Sequence, residues 1–191
     1  MKKEIIILAV IIGLVVVGIA GSKWVVNSGT KAIPGATTTE YRDEKFGYQF
    51  VYPNTWTTKR AALTPGYVEV VFPGGKTYSL YFWYKDSQAI KSTTDLEAFV
   101  KDDAAYAETH QGTKTLKIAP QQLGNLNGFA YDYQDKDGTV SRAYYVADLT
   151  PTADQNIFVW TAGLLNKSNS LDAALADQDV QSILASYKFL K

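Results

Sequence analysis

The chain reads as an α+β protein: a central, mainly antiparallel sheet of about six strands flanked by helices in an α/β/α sandwich, preceded by an N-terminal transmembrane helix. Three observations predict this. Aromatic and aliphatic residues alternate with a period of two in several short runs. Two stretches with helical periodicity, near 94–110 and 171–187, interrupt and follow those runs. Residues Ile5–Ala20 contain no charge and no strongly polar side chain.

The N-terminal segment comes first. Met1-Lys2-Lys3-Glu4 leads into sixteen apolar residues, which as a helix cover roughly 24 Å against a bilayer core of about 30 Å. Extension to Val26 gives roughly 33 Å, with Lys23 snorkelling and Trp24 at the interface. This predicts an uncleaved signal anchor over 1–26. The alternative is a cleaved signal peptide processed near Gly18-Ile19-Ala20 or Ala20-Gly21-Ser22. Lys2 and Lys3 before the segment nearly balance Lys23 and Lys31 after it, so orientation rests on other features. The absence of cysteine and the stalk-like stretch that follows suit export of the C-terminal bulk. Residues 27–40 (NSGTKAIPGATTTE) hold Gly, Pro, Ser and Thr with almost no large apolar residue, and read as a flexible linker.

Residues 41–191 form the globular part, with 15 basic and 17 acidic side chains and a net charge of −2. Phe46–Tyr52 alternates Phe46, Tyr48, Phe50 and Tyr52 on one face and stops at Pro53-Asn54. Tyr67–Phe72 alternates Val68, Val70 and Phe72 before the turn Pro73-Gly74-Gly75. Thr77–Lys85 carries aromatics on both faces, which predicts a central strand covered on each side. Thr94-Asp95-Leu96-Glu97 reads as a capping box opening a helix, with Leu96, Phe99, Val100, Ala104 and Ala107 on one face and His110 and Gly112 at its end. Strands then follow at Leu116–Gln122, continuing past a Gly-Asn bend into Phe129–Tyr133, at Val140–Leu149 and at Ile157–Gly163. Asp135-Lys136-Asp137-Gly138 reads as a hairpin turn. Leu171, Ala174 and Leu175, then Val180, Ile183, Leu184 and Tyr187, mark a helical end with Asp177 as a restart cap.

Composition removes several function classes. With no cysteine there are no disulfides, thiolate metal sites or thiol nucleophiles. The single histidine, His110, leaves no multi-histidine metal site, and its place at a helix C-terminus suits capping of free carbonyls. Equal numbers of basic and acidic residues, 19 each, argue against a nucleic-acid partner. Pro73-Gly74-Gly75-Lys76-Thr77 ends like a phosphate-binding loop, but Val70 stands where the first glycine belongs and a strand follows instead of a helix. Asp135–Gly138 resembles the middle of a Ca²⁺ loop, yet Tyr133 and Tyr144 occupy the positions that need carboxylates. No metal and no cofactor is therefore expected.

One residue contradicts its surroundings. Asp103 falls within the apolar stripe of the first helix, where a carboxylate is costly unless paired or wet. The plain reading places that part of the helix near the sheet edge; the sharper one makes Asp103 a buried ligand-binding carboxylate. Tyr81 and Trp83, with Phe158 and Trp160, are alternate-face aromatics that either pack beneath a helix or line a groove beside it. Asp103, Tyr81 and Trp83 are thus the candidate ligand-binding residues, and no catalytic residue stands out among the 17 acids.

The opening Phe46-Gly47-Tyr48 through Pro53-Asn54-Thr55-Trp56, and the close Ile183-Leu184-Ala185-Ser186-Tyr187-Lys188-Phe189, resemble the PsbP family over residues 41–189. The resemblance implies that family's α/β/α sandwich. Its named members are non-enzymatic extrinsic proteins of photosystem II that help to retain Ca²⁺ and Cl⁻, and many bacterial relatives are exported or anchored. No ion-retaining residue carries across, and the N-terminal anchor departs from the soluble lumenal members. The expected function is a membrane-anchored, extracytoplasmic, non-catalytic binding or assembly module whose partner is a membrane or cell-surface protein. The alternatives are a small-molecule or ion-binding accessory protein and a carboxylate-dependent surface hydrolase.

Overall fold

Two antiparallel sheets carry the fold. In a computed structural model of the protein the described residues are 24–26, 30–32, 37–61, 66–74, 78–87, 90–149, 157–166 and 170–190, with the backbone alone described at 24–26, 30–32, 61, 84–87 and 157–161. The elements are β1 (Trp24–Val26), β2 (Thr30–Ala32), β3 (Thr38–Asp43), β4 (Tyr48–Pro53), β5 (Thr57–Ala61), β6 (Val68–Val71), β7 (Tyr78–Ser87), α1 (Thr93–Gln111), β8 (Lys114–Leu123), β9 (Leu126–Gln134), β10 (Val140–Ala147), β11 (Ile157–Asn166), α2 (Leu171–Leu175), α3 (Gln178–Ala185) and β12 (Lys188–Phe189).

The large sheet has eight strands in the order β1-β5-β6-β7-β11-β10-β9-β8, and a second sheet has four in the order β12-β4-β3-β2. This corrects the expectation of one sheet of about six strands. The Phe46–Tyr52 segment does not join the central sheet: β4 pairs with β3 and β12. Tyr48, Phe50 and Tyr52 then face the large sheet, and Phe50 stacks on Phe82 at 4.2 Å. A strand with one aromatic face is satisfied equally well by a second layer as by an edge of the first. The run Thr57–Ala61 (TTKRA) has no apolar alternation to announce a strand, yet it pairs with β6 and β1.

The stretch from Leu116 to Tyr133, expected as one bent strand, is two strands paired with each other from Lys114↔Gln134 to Leu123↔Leu126. The reversal lies at Gly124, whose φ of 60° is a conformation that costs glycine little. Its Cα also faces the Tyr187 carbonyl so closely that a Cβ would overlap it. The expected hairpin at 135–138 is present: Asp135 N–H donates to Thr139 O at 2.8 Å and Gly138 N–H to Asp135 O at 2.9 Å.

The N-terminal boundaries also shift. Residues 1–23, the bulk of the expected anchor, lie outside the described residues. Among the described residues no helix is long and apolar enough to cross a membrane. Trp24–Val26, read as the end of that anchor, is a strand paired with Lys59–Ala61. Thr30–Ala32 and Thr38–Asp43, read largely as linker, pair with each other. Threonine suits the extended backbone, and β3 finds a hydrogen-bonding partner in β4 that a composition argument does not see.

The layers follow from these pairings. One face of the large sheet packs against β3 and β4 with α2 and α3 around a core that includes Tyr41, Tyr48, Phe50, Leu80, Phe82, Leu164, Ile183 and Tyr187. The opposite face at β8, β9 and β10 is covered by α1, around Leu96, Val100, Ala104, Phe129, Tyr131 and Tyr145. The first helix starts earlier than expected. Ser92, not Thr94, is its N-cap, accepting from Asp95 N–H at 3.2 Å, while Asp95 accepts from Lys91 N–H and the Ser92 hydroxyl, each at 2.9 Å. Two reciprocal side-chain bonds at Ser92 and Asp95 outcompete the later Thr94–Glu97 pair, and Glu97 instead pairs with Lys101 at 2.6 Å. At the other end, His110 Nδ1 lies 3.0 Å from Tyr106 O, as a C-terminal capping role predicts.

Candidate functional site

The face of the large sheet that meets α1 carries a continuous layer of tyrosines. Strand register explains it. Trp83, Thr161 and Tyr145 lie in one row across β7, β11 and β10; Tyr81, Gly163, Ala143 and Tyr131 lie in the next. The small residues of that second row leave room for a ring. Tyr81 fills it: a Cβ on Gly163 would overlap the Tyr81 ring. Tyr81 stacks on Trp83 at 4.9 Å and on Tyr67 at 5.5 Å, and Tyr131 stacks on Tyr133 at 5.1 Å.

Asp103 enters this layer from α1. It is 1% exposed, so its carboxylate is paired inside the protein rather than wet, although α1 packs over β8, β9 and β10 at the β8 end of the sheet. Tyr145, 1% exposed, donates its hydroxyl proton to Asp103 Oδ2 at 2.6 Å, and Phe99 meets the Tyr145 ring edge-on at 6.4 Å. Burial pushes the Tyr145 hydroxyl well above its ordinary range, and the neighbouring Asp103 charge adds to this. Burial does the same to Tyr81 and Tyr133. At neutral pH these phenols keep their protons and act as hydrogen-bond donors within the layer.

The three sequence-predicted residues therefore share one face without forming one pocket. Asp103 reaches the sheet through Tyr145, which stands in the same row as Trp83, about 10 Å away by strand spacing. Tyr81 and Trp83 are 3% and 4% exposed, and they pack as core. The side chains of Phe158 and Trp160 lie outside the described residues.

Two further buried carboxylates sit elsewhere. Asp43 accepts from Arg60 Nη2, from the Tyr41 hydroxyl at 3.1 Å and from Phe46 N–H at 3.1 Å. Asp132 holds Arg142 in a bidentate pair, Nε–Oδ1 2.6 Å and Nη2–Oδ2 2.8 Å, which keeps the guanidinium above its ordinary range. Sequence reasoning missed this pair, although its signal was present. Once the Asp-Gly turn sets the hairpin register, Asp132 and Arg142 fall directly opposite each other, where opposite charges attract. Among the described residues there is no group of three or more His, Asp or Glu side chains placed to hold a metal ion.

No family model matches the chain, and no curated protein matches it in sequence. Solved structures do. The solution structure of cyanobacterial PsbP (CyanoP) from Synechocystis sp. PCC 6803 superposes with a TM-score of 0.58 at 18% identity, covering 85% of this chain and 98% of that one. A crystal structure from Bacteroides thetaiotaomicron matches with a TM-score of 0.46 at 12% identity, covering 80% of this chain and 48% of that one. The chain has the PsbP-like fold, as the sequence resemblance implied.

Proposed function

We propose that this chain is a membrane-anchored, extracytoplasmic binding or assembly module without catalytic activity, its sheets displayed to a membrane or cell-surface protein. One observation carries the non-catalytic reading. The buried carboxylates Asp43, Asp103 and Asp132 sit in three separate internal pairings, with Arg60 and Tyr41, with Tyr145, and with Arg142. A hydrolase of the paired-carboxylate type needs two acids converging on one bond, and these three are distributed over β3, α1 and β9. The PsbP-like fold is consistent with an accessory role. The anchor reading draws on Ile5–Ala20, and a tethered domain gains effective concentration toward its membrane neighbours.

The chain has no cysteine, so one introduced thiol reports topology without background. Asp137→Cys, at the exposed hairpin tip between β9 and β10, is expected to react with a membrane-impermeant maleimide on intact cells. The full-length chain is expected to stay with the membrane through carbonate extraction. Release by carbonate, or labelling only after lysis, overturns the placement. Turnover of an ester, phosphate or glycoside panel that one substitution abolishes overturns the non-catalytic role.

A further inference from the structure

The register of the short N-terminal strands fixes where the apolar run Ile5–Ala20 meets the globular part. β1 begins at Trp24 and is the terminal strand of the large sheet, with Val25 opposite Arg60 and Val26 opposite Lys59. β2 begins at Thr30 and is the terminal strand of the second sheet, paired with Thr39–Tyr41. Residues 24–32 thus contribute an edge strand to each sheet. Gly21, Ser22 and Lys23 are all that separates the run from β1 in the sequence, and the residue steps from Ala20 to Trp24 span at most about 14 Å. We infer that β1 is seated on the surface of the bilayer, so that the large sheet meets lipid headgroups by this edge with no stalk between. The inference rests on the anchoring proposed above and adds to it which edge of the fold the membrane covers.

The same pairings hold the rest of the sheet away from that edge. One row crosses the whole sheet, from Val25 through Arg60, Phe82 and Tyr144 to Ala119. The strand spacings along it put β8 about 34 Å from β1. The chain joins β1 at Trp24, opposite Ala61, on the side of the row toward Phe129. Gln134 and Val140, the stem of the β9–β10 hairpin, lie on the other side. Asp137 at the exposed tip of that hairpin is therefore about 30 Å from β1 by strand spacing and rise. With β1 on the bilayer, β8 and this hairpin face outward.

Covalent reach, not charge, drives this seating. A surface that recognises anionic lipid carries clustered Lys and Arg free to meet it. Among the described residues near β1 and β2, Lys59 stands opposite Glu69, Lys31 stands opposite Glu40, and Arg60 donates to Asp43. The edge is thus balanced and suits a zwitterionic surface as well as a charged one. Its backbone suits it too. As a terminal strand, β1 has one side without a strand partner among the described residues, and hydrated headgroups can satisfy its N–H and C=O groups. A strand of three residues is too short to template pairing with another chain. Trp24, where the run joins β1, is of the residue type enriched at the membrane–water interface.

The test uses the full chain in phosphatidylcholine vesicles, part of the lipid carrying a nitroxide on its headgroup. A bimane is attached at Lys59→Cys or at Asp137→Cys in the cysteine-free background. Lys59 lies on β5 opposite Val26. Thr57→Cys, exposed on the same strand, replaces it if circular dichroism shows that the first variant does not fold. The β5 probe is expected to lose its fluorescence to the nitroxide and the hairpin probe to keep it. A Gly/Ser spacer of about twenty residues between Ser22 and Lys23, with a reach of roughly 25 Å, is expected to restore the β5 signal. Equal quenching at the two positions, quenching that survives the spacer, or quenching that requires added phosphatidylserine overturns the seating. Release of the chain from the vesicles by carbonate overturns the anchoring instead, so the two readings fail separately.

Discussion

The Tyr145 hydroxyl donates a 2.6 Å hydrogen bond to Asp103 Oδ2, and both residues are 1% exposed. The bond joins α1 to β10 across the middle of an aromatic layer. It explains how a carboxylate sits within an apolar helical stripe.

Tyr145→Phe removes the donor while Asp103 stays buried, and is expected to cost about 1–3 kcal/mol. Asp103→Ala removes the charge with its partner left behind. A double-mutant cycle by urea unfolding is expected to give a coupling above about 0.5 kcal/mol. Additive losses would show that the two residues act independently.

The Asp132–Arg142 pair predicts a different pattern. Arg142→Met alone leaves a nearly buried carboxylate and is expected to cost about 3 kcal/mol, the lower end for such a pair given its residual exposure. Asp132→Leu added to it is expected to restore most of that loss, which thermal denaturation of the single and double variants measures.

Alkaline pH is expected to unfold the protein through its tyrosines. Burial pushes the Tyr41 hydroxyl up to about 12, and raises Tyr48, Tyr81, Tyr145 and Tyr187 well above the ordinary value of about 10. A group whose folded value is raised contributes stability in full below its unfolded value and loses it as pH rises through the folded one. Tyrosinate absorbance should therefore lag behind that of free tyrosine above pH about 10 and then rise together with loss of circular dichroism. Independent titration of the phenols before unfolding would contradict this.

At the acid end the helix cap responds with the opposite sign. Backbone donation from Lys91 and the Ser92 hydroxyl hold Asp95 below its ordinary range, so its contribution is present above the unfolded value of about 4 and fades as pH falls through the folded one. Ser92→Ala is expected to cost about 1 kcal/mol at neutral pH. Asp95→Asn is expected to lower Tm at pH 7 and to match the parent protein at low pH, a convergence that melting curves across the range would reveal.

Gly163→Ala tests the tyrosine layer directly. The new methyl group overlaps the Tyr81 ring, and Tyr81 is packed against Trp83 and Tyr67, so the ring has no free space to enter. A loss of about 1–3 kcal/mol is expected, with altered tryptophan fluorescence as the stacked Tyr81–Trp83 pair is displaced.

Much of the fold was legible in residue order. The alternation in Tyr48–Tyr52, Val68–Phe72 and Thr77–Lys85, the helical stripe from Leu96 to Ala107, the Asp-Gly turn and the Asp177 cap all have local causes, because periodicity and turn chemistry act within a few residues. Strands whose pairing partner lies far away were harder to read. β5 lacks a pattern of its own, and the Leu116–Tyr133 reversal depends on the packing of Gly124 beneath Tyr187.

By itself, the sequence determined the mixed α/β class, the elements that carry strong periodicity, the uncharged apolar run Ile5–Ala20 and the exclusion of cysteine and multi-histidine chemistry. Only the tertiary structure decided that β4 belongs to a second sheet, that Asp103 is buried against Tyr145, and that Asp132 faces Arg142. The physical reason is range. Propensity and periodicity are properties of neighbouring residues, whereas the choice of sheet partner and the environment of a buried charge are set by residues tens of positions away, which only the closed chain brings within hydrogen-bonding distance.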